Sequence, residues 1–153
     1  MWIADRDKNE ILVYGPDGDL HFKFGATGTA PGEFYRPTGL VYDGSLDRIF
    51  VTDKDNHRIQ IFDAQGKLLS CFGSKGSLPG QFNYPWGIAV SPNGALIAVA
   101  DTRNHRIQLF DSSCRFLRQF RVSDKKNWRE FRSLFDYPRG LAFSLTGEFL
   151  FLI

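Results

Sequence analysis

Short runs of alternating apolar and polar residues, each bounded by Gly, Pro, Asn or Asp, fill this chain, and no stretch keeps a helical period long enough to compete. Between residues 39 and 72 the alternation predicts four strands: Gly39–Tyr42, Arg48–Thr52, Arg58–Phe62 and Lys67–Phe72. Asp63-Ala-Gln-Gly66 supplies the tight turn that joins the last two. The fold class this predicts is all-β.

The same text then returns. Asp53-Lys-Asp-Asn-His-Arg-Ile-Gln-Ile-Phe-Asp63 recurs as Asp101-Thr-Arg-Asn-His-Arg-Ile-Gln-Leu-Phe-Asp111, and Asp5-Arg-Asp-Lys-Asn-Glu-Ile-Leu-Val-Tyr14 is a degraded copy upstream, at a spacing of 48 residues. A second motif keeps step: Phe34-Tyr-Arg-Pro-Thr-Gly39, Phe82-Asn-Tyr-Pro-Trp-Gly87 and Phe135-Asp-Tyr-Pro-Arg-Gly140. Pro37 and Pro85 are again 48 apart, whereas Pro85 and Pro138 are 53 apart, so one loop has gained five residues. Four antiparallel strands per unit of this length are the signature of a β-propeller blade, whose inner strands pack face to face on the neighbouring blade. The repeats fall at approximately 1–33, 34–81, 82–134 and 135–153, the first and last incomplete, which predicts about three four-stranded blades. The chain enters within a second strand and stops one residue short of the leading Asp of a further copy, as a piece of a longer array would. Ring closure is then expected from missing blades or from a second copy, because open ends leave strands unpaired.

Composition adds bounds. With 42 % hydrophobic and 15 % aromatic residues the chain can fill a core, but a net charge of +2 does not by itself announce a nucleic-acid binder, so the placement of the 19 basic residues matters more than their total. Cys71 and Cys114 are too few for a disulfide framework or a zinc cluster and are expected as reduced thiols. No apolar run approaches the ~20 residues that span a bilayer, and Met1-Trp-Ile-Ala-Asp5 lacks a signal-peptide layout, so a soluble, cytoplasmic chain with no membrane partner is expected.

Catalysis finds no footing: Gly-x-Ser-x-Gly, His-Glu-x-x-His and a phosphate-binding glycine loop are all missing, and the Gly-rich connectors at 25–32 and 73–80 precede strands. The expectation is a binding scaffold, not an enzyme, with no catalytic residue, metal or cofactor. Arg58 and Arg106 read as structural, each paired with a carboxylate of its own blade. His57 and His105 are repeat-equivalent, and their residue types leave open whether they stabilise the turn or face a ligand.

The informative positions flank the repeated prolines. Phe, Pro and Gly stay constant while the neighbours change: Arg36, Tyr84 and Tyr137 before the proline, Thr38, Trp86 and Arg139 after it. A residue before proline is expected to be extended and so to present its side chain in a fixed direction. The proline loop enters a first strand and the Asp-x-x-Asn-His turn leaves a second, antiparallel one, so both must lie at the same end of the sheet. Arg36, Tyr84, Trp86 and Arg139 should therefore share a rim with Lys54 and Arg103. Arginine forks suit phosphate or guanine edges and aromatic planes suit bases; the alternative for Tyr84 and Trp86 is packing between adjacent blades. A second candidate is the stretch Arg121–Leu134, with a local excess of three positive charges around Trp128 and Phe131, which also reads as a solvated loop.

The combination Asp-x-x-Asn-His-Arg-Ile-Gln-[Ile/Leu]-Phe with Phe-x-x-Pro-x-Gly resembles the NHL repeat over essentially the whole chain. The strings at Lys54–Phe62, Phe82–Trp86, Thr102–Phe110 and Phe135–Gly140 look most like the opening repeats of the TRIM-NHL repressors of developmental mRNAs. The resemblance implies a six-bladed ring at the end of a larger protein that carries RING, B-box and coiled-coil regions. It further implies an electropositive top face that binds a short mRNA stem-loop, placing Arg36, Lys54, His57, Tyr84, Trp86, Arg103, His105, Tyr137 and Arg139 on the RNA. A propeller that docks protein partners for a ubiquitin ligase is the alternative from another class. Departures from the pattern are Arg121 where Gly25 and Gly73 stand in earlier units, and Lys8-Asn9-Glu10 in place of Asn-His-Arg. Metal-dependent lyases with similar propellers would need further His and Tyr ligands that this sequence does not show.

Overall fold

A computed structural model describes residues 1–121 and 136–152. Of the candidate stretch Arg121–Leu134, all but Arg121 therefore lies outside the described residues, Trp128 and Phe131 included. Four antiparallel sheets follow one another along the chain. The first holds β1 (Trp2–Asp5), β2 (Glu10–Tyr14) and β3 (Leu20–Phe24); the second β4 (Pro37–Asp43), β5 (Arg48–Asp53), β6 (Arg58–Asp63) and β7 (Leu68–Phe72). The third holds β8 (Pro85–Val90), β9 (Leu96–Asp101), β10 (Arg106–Asp111) and β11 (Phe116–Arg121), and the last β12 (Leu141–Phe143) and β13 (Leu150–Leu152). A single 3-10 turn, Thr102–Asn104, is the helical element among the described residues. The architecture is an all-β partial propeller, and the four strands expected from 39 to 72 appear within two residues of their expected bounds.

Strand alternation explains the layering. In β5, Ile49 and Val51 enter the cluster with Ile11 of the first sheet and Phe34 of the connector before β4, while Phe50 between them turns the other way, onto Ile88, Ile97 and Val99 of the third sheet. In β9 the neighbours of Ile97 and Val99, Ala98 and Ala100, face the last sheet with Ile107 and Leu109. Each middle strand is thus buried on both faces, and every core cluster is an interface between successive sheets.

Inner strands β4, β8 and β12 pack side by side, and this close approach explains the glycine of the Pro-x-Gly motif. A Cβ at Gly39 would meet the Trp86 carbonyl oxygen, and one at Gly87 the Arg139 carbonyl oxygen. The ladder is irregular at the same place, between Pro37 and Leu40 and between Pro85 and Ile88. Thr52 donates to the Trp86 carbonyl at 2.7 Å and Thr102 to the Pro138 carbonyl at 2.7 Å, which pins each proline loop to the preceding unit.

The Asp-x-x-Asn-His-Arg motif ties units together through side chains. Buried Asp101 holds fully buried Arg106 through Nε at 2.6 Å, as Asp53 holds Arg58 at 2.7 Å, so the structural role expected for both arginines is found. Their guanidinium groups then reach back to the connector before the sheet: Arg106 donates to the carbonyls of Ser77, Leu78 and Gln81, and Arg58 to those of Thr29, Ala30 and Glu33. Asn56 donates to the Gly28 carbonyl at 2.8 Å, and Gln60 to that of Glu33 at 2.7 Å. The left-handed residue of the Asn-His-Arg turn is the histidine, His57 at φ 56° and His105 at φ 51°, and their counterpart Asn9 is left-handed too, at φ 58°.

Candidate nucleic-acid interface

The first two proline loops are each held by two amides. Asp53 Oδ1 accepts from the Tyr35 N–H at 2.8 Å and Asn9 Oδ1 from the Arg36 N–H at 2.6 Å. In the next unit Asp101 Oδ1 accepts from Asn83 at 2.7 Å and His57 Nδ1 from Tyr84 at 3.1 Å. These bonds overturn the expectation of an extended residue before proline: Arg36, Tyr84 and Tyr137 have φ of 55°, 54° and 58°, in the left-handed region. For Arg36 and Tyr84, two fixed amides over-determine a conformation that a free X-Pro dipeptide would avoid.

The loops and turns of successive units bring Arg36, Lys54, Tyr84, Trp86, Arg103, Tyr137 and Arg139 around one cleft of about 350 Å³, with Asp55 and Thr102 completing its wall. Cations and rings alternate across it. The Arg103 guanidinium carbon lies 4.3 Å from the Tyr84 ring centroid, Lys54 Nζ 4.9 Å from Tyr84 and 5.7 Å from Trp86, and the Arg139 guanidinium carbon 4.6 Å from Trp86. Lys54 also pairs with Asp55, and Arg36 Nε stands 3.9 Å from the other oxygen of that carboxylate. Four cations facing one carboxylate leave the cleft electropositive.

Three candidates on the turns meet the cleft differently. Lys54 lines the cleft with the proline-flanking residues, its side chain only 9 % exposed because it is drawn between two rings and a carboxylate. His57, expected on a ligand, is buried with Nδ1 occupied by the Tyr84 amide and its ring edge-on to Tyr84 at 4.7 Å, so it supports the cleft from behind. Burial, with help from Lys75, holds its pKa below the ordinary histidine value. His105 is exposed but does not line the cleft: it packs on the Tyr137 ring at 4.7 Å and its Nδ1 lies 3.2 Å from Asp136 Oδ1, a contact that needs a hydrogen on that nitrogen. Sequence reasoning missed Asp55 and Thr102, and no spacing marked either; Asp55 precedes the Asn of the motif and varies to Arg103 one unit later.

Cys71 and Cys114 are both free thiols, and burial raises the Cys114 pKa. Among the described residues no group of three or more His, Cys, Asp or Glu stands at metal-ligating distance, and no helix is long and apolar enough to cross a membrane.

Known structures share this architecture. The chain superposes on hydrazine synthase of Kuenenia stuttgartiensis with a TM-score of 0.73 at 16 % identity, covering 99 % of this chain and 38 % of that one. It superposes on virginiamycin B lyase of Staphylococcus aureus with a TM-score of 0.70 at 17 % identity, covering 99 % and 44 %. For U3-55K the TM-score is 0.60 at 24 % identity over 76 % and 32 %. The chain thus spans less than half the length of each, and at these identities the likeness is one of fold; the site must speak for function. No curated protein sequence matches it. The NHL repeat family matches residues 34–62 and 82–110, so the second and third sheets of this partial β-propeller are similar to NHL repeats.

Proposed function

We propose that the chain is the RNA-binding propeller of a TRIM-NHL-like post-transcriptional repressor, which takes a short structured mRNA element into the cleft between its proline loops. The observation that carries this reading is the alternation of Arg103, Tyr84, Lys54, Trp86 and Arg139 at 4.3 to 5.7 Å. Aromatic planes beside guanidinium and ammonium groups offer bases a stacking surface and phosphates a counter-charge, and stacking alone is worth about 1–3 kcal/mol per base. Arg36 and Arg139 are exposed, so their guanidinium groups have donors to give a ligand.

The test measures the affinity of the complete protein for a pool of short structured RNAs, as parent and as Arg36→Ala and Arg139→Ala. Each substitution should cost on the order of 1–3 kcal/mol while melting is unchanged. If both variants bind like the parent, the cleft is not an RNA site, and docking of a protein partner takes its place.

A further inference from the structure

Tyr84 holds its place in the cleft by a bond whose acceptor can be switched off. A left-handed tyrosine before proline is a strained choice, and the side chain that fixes its amide is His57, through Nδ1 at 3.1 Å. An imidazole nitrogen accepts a hydrogen bond only while it carries no proton; once protonated, both ring nitrogens are donors. The equivalent place in the preceding unit is filled by Asn9, whose Oδ1 accepts the Arg36 amide at 2.6 Å and does not titrate between pH 5 and 8. One fold position thus holds a constant acceptor under Arg36 and a switchable one under Tyr84.

We infer that His57 is the positioning residue of the cleft, holding Tyr84 in its binding posture as a neutral imidazole, and that its protonation releases the Tyr84 loop. The inference deepens the RNA-binding reading by giving that site a pH response. Protonation would set two N–H donors against each other at 3.1 Å, at the point where the strain of the loop is restrained. The charged groups around the ring are Lys54 and Asp55 on its own turn, Lys75 on the connector and Asp101 on β9; the two lysines oppose a proton and the two carboxylates favour it. His57 cannot escape to solvent, because it is buried against this loop.

The experiment reads the latch without any ligand. Hydrogen exchange of the Tyr84 amide, expressed as protection relative to an unstructured peptide, is followed from about pH 7.5 to about pH 5, across the ordinary histidine range. Protection should fall about tenfold or more in the parent as the hydrogen bond is lost. In His57→Asn it should stay level, because Asn at this position already serves Arg36; in His57→Ala it should be low throughout. The Arg36 amide, held by Asn9, is the internal control and should not respond. Tyr84 protection that is unchanged at about pH 5 in the parent, or that falls equally in His57→Asn, overturns the inference. RNA affinity measured in parallel separates the two claims: a Tyr84 amide that opens in a protein that binds no RNA supports the latch and removes the RNA reading.

Discussion

The backbone of Gly87 lies so close to the Arg139 carbonyl that a Cβ added there would run into its oxygen. Because the obstacle is backbone, an added methyl must part β8 from β12. Gly87→Ala should therefore destabilise the fold by about 1–3 kcal/mol, the range of overpacked cores, and should shift the Arg139 loop. Chemical denaturation gives the first quantity. The second would appear as a loss of ligand affinity in a protein that is still folded.

Arg106 and Arg58 make the same reach-back bonds, yet Arg106 is wholly buried and the Arg58 side chain is 13 % exposed. Truncating Arg106 strands the buried Asp101 carboxylate and a set of connector carbonyls, so Arg106→Ala should cost roughly 3–5 kcal/mol. Arg58→Ala should cost less, since water can reach the connector carbonyls at Thr29 and Ala30. Urea midpoints for the two variants, compared with the parent, check the order.

Acid should attack the fold at Asp43. Burial pushes its carboxyl upward, but the Ser45 hydroxyl, Arg48 and the Ser45 amide together hold it below the ordinary carboxylate value. A carboxyl lowered in the folded state contributes stability that is complete above its unfolded pKa of about 3.9 and is lost as pH falls through the folded value. Thermal melting should therefore show a decline below about pH 4 that is smaller in Asp43→Asn, whose melting temperature at neutral pH is already reduced.

Arg103 and Arg118 each lie over a ring, Tyr84 and Phe120, at 4.3 and 5.0 Å, but Arg103 lines the cleft while Arg118 sits on an outer strand. Removal of a phosphate contact should lower the salt slope of RNA binding by about one. Arg103→Ala should do so and Arg118→Ala should leave the slope as it was. Equal slopes in all three proteins would take Arg103 out of the interface.

Period, strand positions and the grouping of the proline-flanking residues with Lys54 and Arg103 at one end were legible because they follow from spacing and strand direction alone. The Asp–Arg pairs were legible for a similar reason: their partners lie five residues apart on adjacent strands. What escaped depends on partners far away in sequence. The left-handed Tyr84 is dictated by His57, 27 residues earlier, and the burial of Lys54 by rings that belong to the next unit. No local pattern encodes such pairs, and the usual preference of a residue before proline pointed the other way.

The bonds that Asn56, Arg58 and Gln60 send back to residues 28–33 carry a thermodynamic consequence. The connector they hold precedes β4, so opening the second sheet strips the carbonyls of the strap that leads into it; Arg106 and Gln108 repeat the arrangement one unit on. Nearest-neighbour terms of this kind make a repeat array melt as a block. Trp2 and Trp86, in the first and third sheets, should then report a single shared transition.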